Sequence, residues 1–171
     1  MMTCSLFVLL SSGIALGQTF SVCEALSKSS ALNGKNVSIE GVWRKGDVGQ
    51  QLWSPAPCTD PTVRDGWQFA DVIKVEAGGE NERVTEFYRR LRALAKAHPG
   101  TNIVATLTGR FEAPDHFETV SAVPGAPPRP RAFGPFAARI IFESADSFKS
   151  VPSDPKAELE VRGRVEPRRV K

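Results

Sequence analysis

Residues 81–97 carry the clearest helical period in the chain, and it constrains the fold more than any other feature. Val84, Phe87, Tyr88, Leu91, Leu94 and Ala95 fall at i, i+3, i+4, i+7, i+10 and i+11, which puts them on one helical face. Asn81 is placed to cap the helix, Glu82 and Glu86 favour its positive end, and Pro99-Gly100 stops it. One apolar helical stripe needs a sheet to cover it, and the segments on both sides supply strands.

Before the helix, Asn36 to Trp43 alternates, with Val37, Ile39 and Trp43 on one face and Gly41 between them. A glycine inside a strand marks a bulge, a bend or a close approach. Lys45 to Gly49 reads as a turn, Gln50 to Trp53 as a second strand, and Pro55 to Asp65 as a loop. Gly66 to Val75 resumes strand character. After the helix, Thr101 to Glu112 is a long strand with Ile103, Ala105, Leu107, Gly109 and Phe111 on one face. Ala113 to Pro135 is a Pro/Gly-rich excursion, and Phe136 to Glu143 is the last strand. Ahead of all these, Ser21-Val22-Cys23-Glu24 has the form of a capping box, so a short helix should start there and stop at Asn33-Gly34.

Three strands, a helix and two strands resemble the layout of an OB-fold, a five-stranded Greek-key barrel with a helix between strands three and four. The expected fold class is therefore mainly β, an OB-fold-like barrel with a short N-terminal helix. A generic α+β sandwich is the competing arrangement.

The first 17 residues have the form of a signal peptide. Leu6 to Leu10 is an unbroken apolar run, and Ala15-x-Gly17 offers small residues at the −3 and −1 positions of a cleavage site. No Lys or Arg precedes it, so the amino terminus would have to supply the n-region charge. The apolar stretch is interrupted by Ser11-Ser12-Gly13 and is short of the ~20 residues that span a bilayer. Export to the periplasm or the extracellular space is expected, with no membrane span after cleavage. Cys4 would leave with the leader. Cys23 and Cys58 would remain, and an even pair in an oxidising compartment reads as one disulfide. The organisation expected is a leader over 1–17, a domain over 18–150 and a disordered charged tail over 151–171.

The chain resembles a loose group of small exported bacterial OB-fold-like proteins of unknown function. The residues that carry this are Leu32 to Gly41, Cys58 and Ala138 to Phe142. The resemblance implies no catalytic residues.

Candidate ligand contacts follow from where OB-folds bind, the face of strands two and three and its flanking loops. Trp53, Arg64 and Trp67 fall there. Trp53 and Trp67 offer stacking surfaces for sugars or bases, and Arg129 and Arg131 of the long excursion could meet an anion. Both indoles could equally be core residues, and the excursion a solvated loop. Asp115, His116 and Glu118 are metal-ligand types but have no second cluster beside them, so no metal or other cofactor is implied. On the long helix, Arg89, Arg92 and Lys96 form an outer stripe, and Glu86 is spaced i,i+4 from Arg90.

With 22 Lys+Arg against 19 Asp+Glu, the charge excess is too small to mark a nucleic-acid binder. No Gly-x-Ser-x-Gly, His-Glu-x-x-His or P-loop occurs. The residues point to an exported binding or interaction module whose partner is an oligosaccharide, an envelope polymer or a protein. A secreted nuclease-like or other hydrolytic enzyme on the same barrel, and an envelope structural protein, stay open as alternatives.

Overall fold

A computed structural model of the chain describes residues 17–46, 48–121, 129–131, 133–154 and 167–170. The leader expected over 1–17 lies outside these residues except for Gly17. The main sheet contains β1 (Thr19–Ser21), β2 (Asn36–Gly46), β3 (Gly49–Trp53), β6 (Val72–Ala77), β7 (Asn102–Glu112) and β10 (Arg139–Val151). Two short hairpins sit in its connections: β4 (Val63–Arg64) with β5 (Trp67–Gln68), and β8 (Glu118–Val120) with β9 (Arg129–Arg131). A last strand, β11 (Arg168–Arg169), pairs with β5. The helices are α1 (Val22–Ser27), α2 (Ser29–Leu32) and α3 (Glu82–Ala97).

The fold is mainly β, and the pairings run in a ring, β2–β3–β6–β10–β7 and back to β2. All are antiparallel except β6 with β10. The ring is not closed into the barrel expected above. β6 makes its two shortest pairings: Val72 to Val75 with β3 and Lys74 to Ala77 with β10. Beyond Phe142, β10 runs on with β7 alone to Val151.

Alternation sorts the side chains into two apolar layers. The inner one takes Val37 and Ile39, Leu52, Ile73 and Val75, Ile103, Ala105 and Leu107, and Ile140 and Phe142. α3 closes it with Val84, Phe87 and Leu91, and its Phe87 ring lies 4.9 Å from that of Phe142 and 5.2 Å from that of Phe148. Tyr88 and Leu94 pack beside them, whereas Ala95 is exposed, so the buried stripe is one residue shorter than its period. Asn81 caps α3 by accepting the Val84 N–H at 2.9 Å. α1 adds Val22, Ala25 and Leu26, and its capping box is formed by Ser21 and Glu24.

Gly41 stands where β2 changes partner. Ser38–Glu40 pairs with β1, and Val42 onward pairs with β3. A Cβ at Gly41 would lie 2.8 Å from Leu52 Cγ, Val22 Cγ2 and the Trp53 carbonyl oxygen. The glycine therefore permits a close approach of α1 and β3 to this strand.

The second layer lies on the opposite face. Val104, Val42, Trp53 and Val72 form one cross-strand row over four strands. Ala70 and Phe136, from the two long connections, are buried with that row. A third small cluster joins Trp67, Phe69, Phe117 and Ala137.

Arg139 bridges the strands flanking β10. Its guanidinium lies 2.7 Å from Glu76 on β6 and 2.6 Å from Glu112 on β7. Burial alone would raise the Glu76 carboxyl, but Lys74 and Arg139 outweigh it and hold it below its ordinary value.

Of the tail expected over 151–171, Val151 ends β10, residues 155–166 and 171 lie outside the described residues, and Arg168–Arg169 is the strand on β5.

Candidate functional site

Three stretches distant in sequence meet beside α1. Cys23 of α1 is bonded to Cys58 (Cα–Cα 5.4 Å), which ties the β3–β6 connection to the first turn of the helix. Asp71, buried before β6, orders the same connection. Its carboxylate accepts the Cys58 N–H at 2.9 Å, and its carbonyl accepts the Ser54 N–H at 3.1 Å.

The connection then forms the β4–β5 hairpin through Asp65 and Gly66, both at positive φ (49° and 75°). Asp-Gly is the pair that a two-residue hairpin turn of this kind favours. Asp65 Oδ2 accepts the Phe117 N–H at 2.8 Å, and its Oδ1 lies 3.1 Å from His116 Nδ1. The Phe117 N–H, then the His116 ring, hold the Asp65 carboxyl below its ordinary value.

Arg64 reaches the same distant stretch. Its Nη1 lies 3.2 Å from Asp115 Oδ1, which also accepts the Ser30 hydroxyl at 2.6 Å. The Ser30 hydroxyl, then Arg64, keep the Asp115 carboxyl low.

Together these bonds frame an open cleft of about 440 Å³, lined by Leu26 and Ser27, residues 60–65, and Asp115. Thr62 is buried on its wall. Arg64 is already matched by Asp115, so Asp60 and Asp65 give the cleft mouth an acidic balance. Its polar groups converge from α1 and from the β3–β6 and β7–β10 connections.

The five candidate residues fare differently. Arg64 lines the cleft. Trp53 is 6% exposed in the outer layer, with its indole N–H donated to Gln51 Oε1 at 2.7 Å and the Arg44 guanidinium 5.4 Å from its ring. Trp67 is 8% exposed and belongs to the third cluster. Neither indole presents an open face: Phe117 of the excursion is buried with Trp67, and Phe136, expected to open the last strand, precedes β10 and is buried with Trp53. Arg129 and Arg131 lie in β9, opposite Val120 and Glu118 of β8.

Asp115 and His116 point into separate bonds, and Glu118 is exposed on β8. Among the described residues no three His, Cys, Asp or Glu side chains gather as a metal site. On α3, Glu86 pairs with Arg89 at 2.6 Å rather than with Arg90, whose guanidinium lies 4.8 Å from the Phe148 ring. A smaller hollow of about 280 Å³ opens there, between Arg83, Glu86 and Arg90 of α3 and Ser144 to Asp146 of β10.

Asp60, Asp65, Ser27 and Ser30 were not legible as site residues. The one available signal was Asp65-Gly66, a hairpin dipeptide that would have brought Arg64 and Trp67 to adjacent strands.

No protein family, no characterised protein and no solved structure matches the chain. Among the described residues no helix is long and apolar enough to cross a membrane.

Proposed function

We propose that this chain is an exported binding module on an OB-fold-like ring, with the cleft beside α1 as its ligand site. The single observation that carries the reading is the bracing of the cleft. A disulfide, the Arg64–Asp115 pair and the Asp65–Phe117 bond fix three walls before any ligand arrives. A preformed concave site with convergent polar groups is where a small ligand is held at least entropic cost. Its volume suits a sugar-sized group, so a short oligosaccharide, a unit of an envelope polymer or a protein side-chain cluster are the partners of choice. The OB-fold-like part of the reading is supported by the ring order and by the parallel pairing of the strand before α3 with the last long strand. Export is supported by the apolar leader and by the Cys23–Cys58 bond.

Amide NMR of the labelled protein, titrated with envelope oligosaccharides, tests the site. Shifts should concentrate on residues 60–65 and 115 and vanish in Ser27→Trp, which adds bulk at the cleft wall. Shifts confined to other surfaces, or chemical turnover of an added oligosaccharide, would overturn the reading. Mass spectrometry of the secreted, non-reduced protein tests export separately, since the expected N-terminus is Gln18.

A further inference from the structure

The β5 strand is paired on both sides, and one of its partners is remote. β4 flanks it within the hairpin, while β11 lies along its other edge. Arg168 stands opposite Gln68 and Arg169 opposite Trp67, antiparallel. The Val170 N–H donates to the Gly66 carbonyl at 2.9 Å. The Arg169 guanidinium lies 5.9 Å from the Trp67 ring centroid. Without β11, this edge would present unpaired peptide groups and a less protected indole.

Sixteen residues, 152–167, separate Val151 at the end of β10 from Arg168. β11 meets β5 as an intramolecular partner, so a free segment binds this edge only in competition with it.

We propose that the outer edge of Trp67–Gln68 is a strand-addition site for extended, arginine-bearing peptide segments, and that Arg168–Val170 is its intramolecular occupant. Backbone pairing along β5 supplies the affinity in such a mode, and a side-chain position supplies the selectivity. Here that position is opposite Trp67, where a guanidinium is favoured over the indole. A partner strand must displace the chain's own segment, so the site is masked until a competing segment is abundant or binds more tightly.

The test uses the full chain and a fluorescent peptide of its own residues 165–171, Val-Glu-Pro-Arg-Arg-Val-Lys. Val170 is 40% exposed, so Val170→Pro removes the N–H that reaches Gly66 without disturbing the core. In fluorescence polarisation the peptide should bind the Val170→Pro chain at least ~10-fold more tightly than the unaltered chain, as removal of a tethered competitor requires. Arg169→Glu in the full chain should unmask the edge likewise. A peptide carrying the same Arg169→Glu change should not bind, and one of equal charge with both arginines replaced by lysine should bind more weakly. A concentration-dependent dimer of the unaltered chain that is lost in Val170→Pro would place the segment of a second copy on the edge. Equal peptide affinity for the altered and unaltered chains would overturn the proposal. So would no binding to both variants while their near-ultraviolet circular dichroism stays native, or equal binding of the lysine peptide.

Discussion

The carboxylate of Asp65 accepts the backbone N–H of Phe117 at 2.8 Å, joining two connections that are 52 residues apart. Asp65 also sits at positive φ, a conformation that Asp and Asn tolerate better than other side chains. Asp65→Ala should therefore lower the melting temperature more than Asp65→Asn, whose amide oxygen can still accept. The folded-state carboxyl titrates below the ordinary 3.8. Its stabilisation is thus fully present above that pH and is lost as pH falls through the lower, folded value. A thermal-melt series from pH 6 down to pH 2 should show a shallower acid loss in Asp65→Asn than in the unaltered protein. Parallel curves would show that this carboxylate contributes nothing to acid stability.

Removing the crosslink should cost substantially more than removing a surface contact. With Cys23 and Cys58 at a sequence separation of 35, the chain-entropy argument gives about 4 kcal/mol. Urea denaturation of the Cys23→Ser/Cys58→Ser chain should show a loss of unfolding free energy of that order. The amides of Ser54 to Asp65 should lose hydrogen-exchange protection before those of β7.

Phe136 tests whether the outer layer is core or cover. It is 1% exposed in the cluster with Trp53 and Val72. Phe136→Ala should destabilise by about 3–5 kcal/mol, the range for large aromatic truncations in a packed interior. A near-neutral result would mean that the excursion rests loosely on the sheet, leaving the Trp53 face available after all.

Gly41 and Gly109 are both closely packed, but against different kinds of atoms. At Gly41, two of the three atoms that a Cβ would meet are buried side-chain carbons of Leu52 and Val22, and the third is the Trp53 carbonyl oxygen, all at 2.8 Å. At Gly109 all three are backbone, with the Ile141 carbonyl oxygen at 2.2 Å. Gly41→Ala should cost about 1–3 kcal/mol, as overpacking does. Gly109→Ala should cost more, because β7 and β10 must separate to admit it. Equal shifts in a denaturation series would refute the distinction.

The long elements were legible because their periods are long. The stripe from Val84 to Leu94, the alternation from Val37 to Trp43 and the run from Ile103 to Phe111 each repeat often enough to declare both element and face. Capping at Ser21 and Asn81 was equally plain. Barrel closure was not readable, since it depends on how far short strands such as Val72–Ala77 pair, and no local pattern records that. The hairpins and β11 are two or three residues long, below the length at which alternation can be distinguished. The site residues were obscured for a related reason. Trp53 and Trp67 were read as stacking surfaces because an OB-fold layout puts them on its ligand-binding face. Phe117, buried with Trp67, lies in a Pro/Gly-rich stretch whose composition suggested a loop with nothing to bury, and Phe136, buried with Trp53, was read as the start of a strand that begins only at Arg139.

Phe69 and Phe117 stand 5.1 Å apart, ring to ring, and each belongs to a different long connection. The two connections are thereby one mechanical part. A displacement of either connection at this point must carry a ring of the other with it. A change of length next to Phe69 or Phe117 is therefore felt on both sides of the cleft, whereas exposed rim positions such as Asp60 and Ser27 can change side chain without moving either ring.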